Sequence, residues 1–309
     1  YEGKVPYTVR YMAQKAIVQK GPTWYPLDNR VKKIYTTAMT AQTIPDGDAV
    51  FATAIGTARP VADLPSCKGK KYYLIQDFEN WSCSDDEVYE TYNLGMTNIP
   101  IAKWLADIVR DKTNKEPYYI ANAIDTDLFR VVVENENRFP HSIAMIYQRG
   151  GHKGFQYGYR VCVRLKEKYP DLQCNIFGLS KREAEWPQWI KYTENATQEQ
   201  LVEIYNSVSV FLCSSVEEGF GLCGAESMAC GCAFATTGYR GVYTYAKDNV
   251  NALISPIKDE DSLFENVCKL FEHKELRTRL AQEGRKTIEK MSWNIAFEKM
   301  DRLVEGENI

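Results

Sequence analysis

The sequence SSVEEGFGLCGAESMACG, residues 214–231, joins a predicted buried strand to a predicted helix. Gly219 and Gly221 allow the backbone to turn tightly there and to approach a ligand closely. The helix that follows directs its free N–H groups and the positive end of its dipole at that turn, which is a ready anion site. Gly231 is expected to end the helix. The stretch therefore predicts a strand–loop–helix unit of an α/β fold with a ligand at the loop.

Two carboxylates, Glu218 and Glu226, flank this unit eight positions apart. The intervening glycines interrupt any continuous helix, so the two side chains need not share a helix face. A carboxylate in such a cleft accepts hydrogen bonds from hydroxyl groups, which sugars and riboses offer. A capping glutamate and a solvated glutamate would be the ordinary interpretation of such a pair. The sequences Glu-Gly-Phe-Gly and Glu-Ser-Met-Ala-Cys-Gly around them favour a functional role.

Strand-like and helix-like runs alternate outward from this unit, which is typical of α/β folds built on parallel sheets. The charged stretch 135–138 precedes a new apolar strand, and it predicts domains at 1–137 and 138–291 with a C-terminal helix at 292–309 that returns to the first domain. The predicted strands are 33–39, 49–55, 71–76, 96–101, 118–121, 143–147, 174–177, 208–213, 232–236 and 252–254. The predicted helices are 103–112, 154–168, 198–205, 222–230, 259–271, 274–290 and one from residue 293.

Composition narrows the class of protein. The chain has 309 residues, of which 44% are hydrophobic and 26% charged, which excludes a disordered chain, a collagen and a coiled coil. The net charge of −3 provides no strong positive field, so nucleic acid is not expected as a partner. No apolar run approaches the ~18 residues of a membrane-spanning helix. Nine cysteines with no Cys-x-x-Cys pair favour buried free thiols in a reducing cytoplasm.

Three segments together resemble a known family. The sequence Glu218-Gly219-Phe220-Gly221 followed by Glu226 resembles the E-x7-E motif of retaining family-four glycosyltransferases, which have the GT-B fold. Residues 122–129, NAIDTDLF, are similar to the N-G-V-D-x-x-x-F segment before that family's interdomain hinge. Residues 147–154, with Arg149 and Lys153-Gly154, are similar to its R-x(n)-K-G segment. All three occur in the family's order and spacing.

The resemblance implies two Rossmann-like α/β domains that face each other across a cleft, with a nucleotide sugar on the second domain and the acceptor on the first. It assigns the donor diphosphate to Arg149 and Lys153 and the donor sugar hydroxyls to Glu218, which are the candidate catalytic residues. Two cations at a strand-to-helix junction also suit a dianionic diphosphate on chemical grounds. The further donor-binding candidates are Gly219, Phe220, Gly221 and Leu222 at the sugar and phosphate, Glu226 at the ribose, Gly178 near the nucleotide, and Tyr192 and Thr193 beside the base.

The first domain departs from the family pattern. The family often has a His-Asp pair at the end of a strand, and here Gln76 and Asp77 occupy those positions. Both can hydrogen-bond a sugar hydroxyl, and we include them as donor-binding candidates; the ordinary interpretation is a strand end that faces the cleft. Ala123 replaces the usual glycine of the hinge segment. The family's first strand and glycine-rich loop are not recognisable in residues 1–32, so this domain is expected to be incomplete at its start.

Several patterns that suggest metal sites are discounted. Asp125-Thr126-Asp127 has the D-x-D form, but its place before the hinge predicts a turn and a helix start, and Asp85-Asp86 predicts a solvated turn. His141, His152 and His273 lack zinc-ligand spacing. We therefore expect no metal and no cofactor, with a nucleotide diphosphate sugar as donor substrate.

The resulting prediction is a metal-independent retaining glycosyltransferase that moves a sugar to an acceptor hydroxyl, in bacterial polysaccharide or glycoconjugate synthesis. The expected partners are the nucleotide sugar and a carbohydrate or lipid-linked acceptor, while the oligomeric state stays open. A cytoplasmic location is expected, with peripheral contact at the inner face of the membrane left open. The alternative is a catalytically inactive nucleotide-sugar-binding partner subunit of a glycosyltransferase complex. A phosphorylase of the same fold is a third interpretation that no sequence feature favours.

Overall fold

The computed structural model describes residues 12–17 and 27–306. Its first sheet has three parallel strands in the order β1-β2-β3, and helices follow each of them. The strands are β1 (Ala49–Ala52), β2 (Lys70–Ile75) and β3 (Thr97–Pro100), and the helices are α1 (Ile55–Ala62), α2 (Asp85–Tyr92) and α3 (Lys103–Thr113). The short helical stretch 12–17 precedes them.

Four predictions in this first part are wrong, those for residues 33–39, 85–86 and 118–121 and for a helix start at 125–127. Residues 33–39 form no strand, because the apolar side chains of that stretch find no sheet to cover and Ile34 is 58% exposed. Asp85 and Asp86 form the first turn of α2 rather than a solvated turn, since Ser84 and Glu87 build a capping box at its start. Asp125 does form the predicted turn, accepting hydrogen bonds from the amides of Asp127 and Leu128 at 3.2 and 3.0 Å, but no helix follows.

The segment predicted as a strand at 118–121 runs beside β3 without joining the sheet. The Tyr118 and Ile120 amides donate to the Asn98 and Pro100 carbonyls at 2.9 and 3.3 Å. A parallel ladder also needs the return bond from β3, and Pro100 has no N–H to donate it. The strand prediction is therefore wrong although the segment lies where a strand would.

The second sheet has six parallel strands in the order β6-β5-β4-β7-β8-β9. From β4 the chain first moves outward through β5 to β6. It then returns to β7, on the other side of β4, and moves outward through β8, so the strand order reverses between β4 and β7. The strands are β4 (Ser142–Tyr147), β5 (Gln173–Gly178), β6 (Ile190–Glu194), β7 (Val210–Cys213), β8 (Ala233–Thr237) and β9 (Leu253–Ser255). The helices are α4 (Phe155–Lys168), α5 (Gln198–Ser207), α6 (Leu222–Ala229), α7 (Glu260–Glu272) and α8 (Lys274–Glu289).

The central strands of this sheet are buried on both faces. Every residue of β7 and β8 is buried, as expected for parallel strands covered by helices on each side. Strand β6 was not predicted, because it lies at the edge and reads Ile-Lys-Tyr-Thr-Glu with only Ile190 buried. All nine cysteines are free thiols, and six of them are buried. Within the described ranges, no helix is long and apolar enough to cross a membrane.

Helix α9 (Trp293–Glu305) lies against the first sheet rather than the second. The Tyr118 hydroxyl donates to the Lys299 carbonyl at 2.9 Å, and the Tyr72 hydroxyl to the Leu303 carbonyl at 3.4 Å. Its inward residues, Ala296, Met300, Leu303 and Val304, pack around the buried Tyr72, Ile99 and Ile120.

The polar stretch used to divide the chain is docked firmly onto the second sheet. Arg138 is 5% exposed and donates to the Tyr205 and Val208 carbonyls at 2.9 Å each. Asn135 donates to the Ser209 and Gly231 carbonyls at 2.8 and 3.0 Å. The domain boundary at residue 137 stays a prediction.

Candidate active site

Two loops meet at the point where the strand order reverses, the usual ligand position in such sheets. The loop after β4 spans 148–154, and the loop after β7 spans 214–221. The Val216 and Glu217 amides donate to the His152 carbonyl at 2.7 and 3.0 Å. Gly154 has φ +55°, and a Cβ there would lie 2.1 Å from the Ser214 carbonyl oxygen. Glycine is therefore required where the loops touch, and the two loops form one unit.

An ion pair joins these loops at their centre. The Lys153 ammonium lies 2.7 Å from a Glu218 carboxylate oxygen, and the two side chains are only 18% and 11% exposed. The Ser215 hydroxyl donates to the other Glu218 oxygen. Burial alone would lower the pKa of Lys153, but the adjacent Glu218 carboxylate outweighs it, so the pKa of Lys153 is raised. The pair thus places a permanent cation at the switch point of the sheet.

The amino end of α6 lies beside this pair. Gly221 precedes the helix with φ +94°, and a Cβ there would lie 2.2 Å from the Tyr239 hydroxyl oxygen. The Tyr245 hydroxyl donates to the Gly221 carbonyl at 2.8 Å, and Phe220 packs on the Tyr245 ring. No side chain caps this end of the helix, no acidic residue lies in its first turn, and Leu222 is 45% exposed. These features leave the positive end of the helix dipole available to an anion.

Glu226, one turn into α6, has a different environment. The Tyr205 hydroxyl donates to its carboxylate at 3.1 Å. Burial raises the pKa of Glu226 to about 7, and the Tyr205 hydrogen bond opposes that shift. The side chain can therefore exchange a proton near neutral pH while it accepts or donates hydrogen bonds.

Arg149 lies in the loop after β4 but does not join the Lys153–Glu218 pair. Its guanidinium is 67% exposed and lies 2.9 Å from a Glu183 carboxylate oxygen, and the Tyr147 hydroxyl donates to the same carboxylate. An anion at the switch point would compete with Glu183 for this cation.

The residues predicted to lie near the nucleotide and its base are on β5 and β6. Gly178 ends β5 in register with Tyr147 of β4. Tyr192 is fixed by its hydroxyl, which donates to the Ser180 carbonyl, and its ring lies 5.4 Å from the Trp186 ring. Thr193 follows it on β6. The structure thus places Gly178 one strand from β4, and Tyr192 and Thr193 two strands from it on the edge strand.

The first sheet reaches the same loop from the opposite side. A Cβ on Gly219 would lie 2.3 Å from the Gln76 carbonyl oxygen and 3.1 Å from the Asp77 carboxyl carbon. The Gln76 amide donates to the Thr53 carbonyl at 2.7 Å, so this side chain bridges the ends of β1 and β2. Burial raises the pKa of Asp77, and the nearby Glu217 and Glu218 add to this. Both sheets therefore contribute their carboxyl edges to one site.

Three contacts of the site were not predicted from the sequence. Trp104 of α3 and Arg240 after β8 both touch the 217–219 segment, and Tyr205 pairs with Glu226. The position of Trp104 directly after a predicted strand is a signal that could have indicated it, because such residues lie at the ligand edge of a parallel sheet. In the ranges that the structure describes, no cluster of three or more His, Cys, Asp or Glu side chains could hold a metal ion.

The family described as Glycosyl transferases group 1 matches residues 133–287, which is half of the chain. The chain therefore belongs to this family. The matched region contains the second sheet and both loops of the site.

Sequence relatives agree with this family over shorter stretches. The chain is 27% identical to mannosylfructose-phosphate synthase of Agrobacterium fabrum over 121 residues, which are 39% of this chain and 27% of the relative. It is also 27% identical to an uncharacterized glycosyltransferase of Methanocaldococcus jannaschii over 95 residues, which are 31% of this chain and 27% of the relative. The chain thus aligns with about a quarter of the length of these curated relatives.

Solved structures establish the fold. TarM of S. aureus superposes with a TM-score of 0.71 at 15% identity, covering 85% of this chain and 56% of that protein. HepE of Anabaena, solved with UDP-glucose, gives a TM-score of 0.69 at 12% identity over 84% of this chain and 79% of that protein. The predicted GT-B fold, with α/β domains built on parallel sheets, is confirmed.

Proposed function

We propose that this protein transfers a sugar from a nucleotide diphosphate sugar to an acceptor hydroxyl, with retention of the anomeric configuration. The observation that carries the proposal is the Lys153–Glu218 pair, 2.7 Å apart at the switch point of the second sheet and beside the uncapped amino end of α6. A buried cation and a free helix end suit a diphosphate, and a carboxylate between the two sheets suits a sugar hydroxyl.

Cleavage of the donor leaves negative charge on the diphosphate. The Lys153 ammonium and the first amides of α6 stabilise that charge, and the Arg149 guanidinium joins them after it exchanges Glu183 for the diphosphate. Preorganised donors of this kind typically contribute roughly 3–4 kcal/mol each to the transition state. These cations and amides are the proposed stabilisers of the leaving group, so the proposal calls for no metal ion.

Hydroxyl groups of the donor are held by the two glutamates of the loop–helix unit. Glu218 lies beside Lys153 and is followed by Gly219, which meets the end of β2, and it accepts hydrogen bonds from the sugar, while Glu226 and Tyr205 bind the ribose. Gln76 and Asp77, at the end of β2, complete the sugar site from the acceptor side. We infer a retaining outcome and a role in bacterial polysaccharide or glycoconjugate synthesis from the resemblance of the E-x7-E motif to that of retaining glycosyltransferases.

The test is nucleotide-dependent stability and donor turnover by the purified chain. UDP, GDP, dTDP and ADP are added in turn, and UDP-glucose is the first donor because HepE was solved with it. One nucleotide at ~100 times its dissociation constant should add about 2.7 kcal/mol to the free energy of unfolding. Lys153→Met should abolish this effect, whereas Lys168→Met, an exposed lysine of α4, should preserve it.

Turnover separates the enzyme from the inactive partner subunit. Donor cleavage that disappears in Glu218→Gln supports transfer, and retention is checked by the anomeric configuration of the product. Stabilisation by a nucleotide without cleavage of any donor would favour the partner subunit. The absence of both effects in the unmodified chain would refute the proposal.

A further inference from the structure

A hydrogen bond from the first sheet reaches the loop that carries Glu218. The Trp104 indole N–H donates to the Gly219 carbonyl at 2.8 Å. Trp104 is the second residue of α3, directly after β3, whereas Gly219 belongs to the loop after β7 of the second sheet. The contact therefore crosses between the two sheets, and its acceptor is the carbonyl of the residue that follows the catalytic candidate Glu218.

Arg240 contacts both the loop that carries Glu218 and the Trp104 indole. Its guanidinium lies 4.1 Å from the centre of the Trp104 ring and pairs with the carboxylate of Glu217. Cation–π stacking and an ion pair thus act on one side chain that comes from the turn after β8. We call Trp104, Arg240 and Glu217 the loop clamp.

The loop depends on these side-chain contacts for a fixed position, because its backbone belongs to no helix or strand. Residues 214–221 form no helix or strand, and glycines at 219 and 221 flank Phe220. Two flexible residues so close to Glu218 would allow its carboxylate to sample several positions. Lys153 fixes the carboxylate end, while the loop clamp holds the two residues that flank Glu218, Gly219 through its carbonyl and Glu217 through its side chain.

We propose that Trp104 is a positioning residue that orients Glu218 for sugar transfer, and that Arg240 and Glu217 hold the indole in place. The inference rests on the proposed function, since it assigns Glu218 to the donor sugar. The clamp forms only when α3 meets the 217–219 segment, so it couples the approach of the acceptor-side sheet to the geometry of the donor site. Lys153 belongs to the loop after β4, outside the clamp, so the diphosphate binding proposed for it should not require the clamp.

Kinetics test the positioning role. Trp104→Phe keeps the ring and removes the N–H donor, so kcat for donor turnover should fall roughly tenfold to a hundredfold, as expected for a misplaced catalytic group. The dissociation constant of the nucleoside diphosphate should stay within about twofold, because that ligand lies at Lys153. Trp81→Phe, at a side chain that is 69% exposed, is the control and should change neither value. Unchanged kcat in Trp104→Phe would overturn the proposal.

Two substitutions of Arg240 test whether its side chain holds the Trp104 indole in place. Arg240→Lys keeps the charge for Glu217 but loses the planar stacking, while Arg240→Gln loses both. Turnover should decrease in the order wild type, Arg240→Lys, Arg240→Gln, with nucleotide affinity unchanged throughout. A loss of nucleotide affinity equal to the loss of turnover would show a general structural defect and overturn the positioning role.

Hydrogen exchange at the indole tests the clamp without any activity. The Trp104 indole N–H, assigned in a nitrogen-15 spectrum by its loss in Trp104→Phe, should exchange at least tenfold more slowly than that of Trp81. Arg240→Gln should accelerate it. Equal exchange at Trp104 and Trp81 refutes the clamp even in an active protein. Slow exchange in a chain that binds no nucleotide refutes the proposed function and leaves the clamp standing.

Discussion

Glu218 and Glu226 are the same residue type, eight positions apart in one loop–helix unit. The structure gives Glu218 a charged partner and Glu226 a neutral one. Glu218 faces the Lys153 ammonium at 2.7 Å and receives the Ser215 hydroxyl. Glu226 is half-buried and accepts from the neutral Tyr205 hydroxyl at 3.1 Å, and it forms no ion pair with any residue that the structure describes. The neutral partner leaves the cost of burying the Glu226 carboxylate largely uncompensated, and its pKa is raised, whereas Glu218 lies beside the Lys153 ammonium.

This difference suits two kinds of recognition. A glutamate locked in an ion pair is a fixed acceptor, which fits a group that must hold one orientation while charge develops nearby. A glutamate with a pKa of about 7 can take up or release a proton as a ligand arrives. The spacing of the two glutamates in the sequence is local, but their chemistry is set by Lys153 and Tyr205, which come from elsewhere in the chain.

The largest expected effect comes from breaking the charged pair. Glu218→Gln leaves the Lys153 ammonium buried without its counter-ion, so the free energy of unfolding should fall by about 3 kcal/mol. Donor turnover should fall at least about a hundredfold. Urea unfolding and initial rates measure the two effects.

A double variant separates charge from function. Lys153→Met with Glu218→Gln removes both charges, so most of the lost stability should return while turnover stays absent. Glu283→Gln, which breaks an exposed pair with Lys286, is the matched control and should change stability by less than about 1 kcal/mol. A cost for Glu218→Gln no larger than that of the control would show that the buried pair does not hold the loops.

Glu226, the glutamate with the neutral partner, should make the free energy of unfolding depend on pH. The folded pKa of Glu226 is raised from 4.5 to about 7, so the unfolded chain releases this proton at lower pH than the folded chain. The stability from Glu226 is therefore fully present below about pH 4.5, and it is lost as pH rises to 7, by up to about 3 kcal/mol. Glu226→Gln cannot titrate, so its stability relative to wild type should rise across that window. A difference that stays constant from pH 4.5 to 8 would contradict the assigned environment.

The sequence predicted the second sheet well because its strands carry a local signal. Strands β7 and β8 are continuous apolar runs with polar or glycine residues at their ends, and that pattern requires burial on both faces. The E-x7-E spacing likewise lies within one loop–helix unit. Strand β6 carried no such signal, because Lys191 and Glu194 are exposed at the sheet edge.

The partners of the site residues were not predictable in the same way. The Trp104–Gly219 bond joins residues 115 positions apart, and its energetic reason exists only once both sheets have formed. Residues 33–39 show the opposite error, since apolar and aromatic residues there suggested a strand that has no sheet to join. Local pattern thus identifies elements and motifs, while tertiary packing decides which carboxylate meets which cation.

The smallest expected effect concerns a third carboxylate, Glu183, which pairs with Arg149 near the surface. These side chains are 35% and 67% exposed, so Glu183→Gln should change the free energy of unfolding by less than about 0.5 kcal/mol. In the proposed site Glu183 would compete with the diphosphate for Arg149, so its removal should tighten nucleoside diphosphate binding by about threefold. Titration calorimetry measures the dissociation constant of the nucleoside diphosphate for Glu183→Gln and for a control variant, Glu185→Gln, at an exposed neighbouring residue. Weaker or unchanged binding would exclude Arg149 from the diphosphate site and leave Lys153 as its cation.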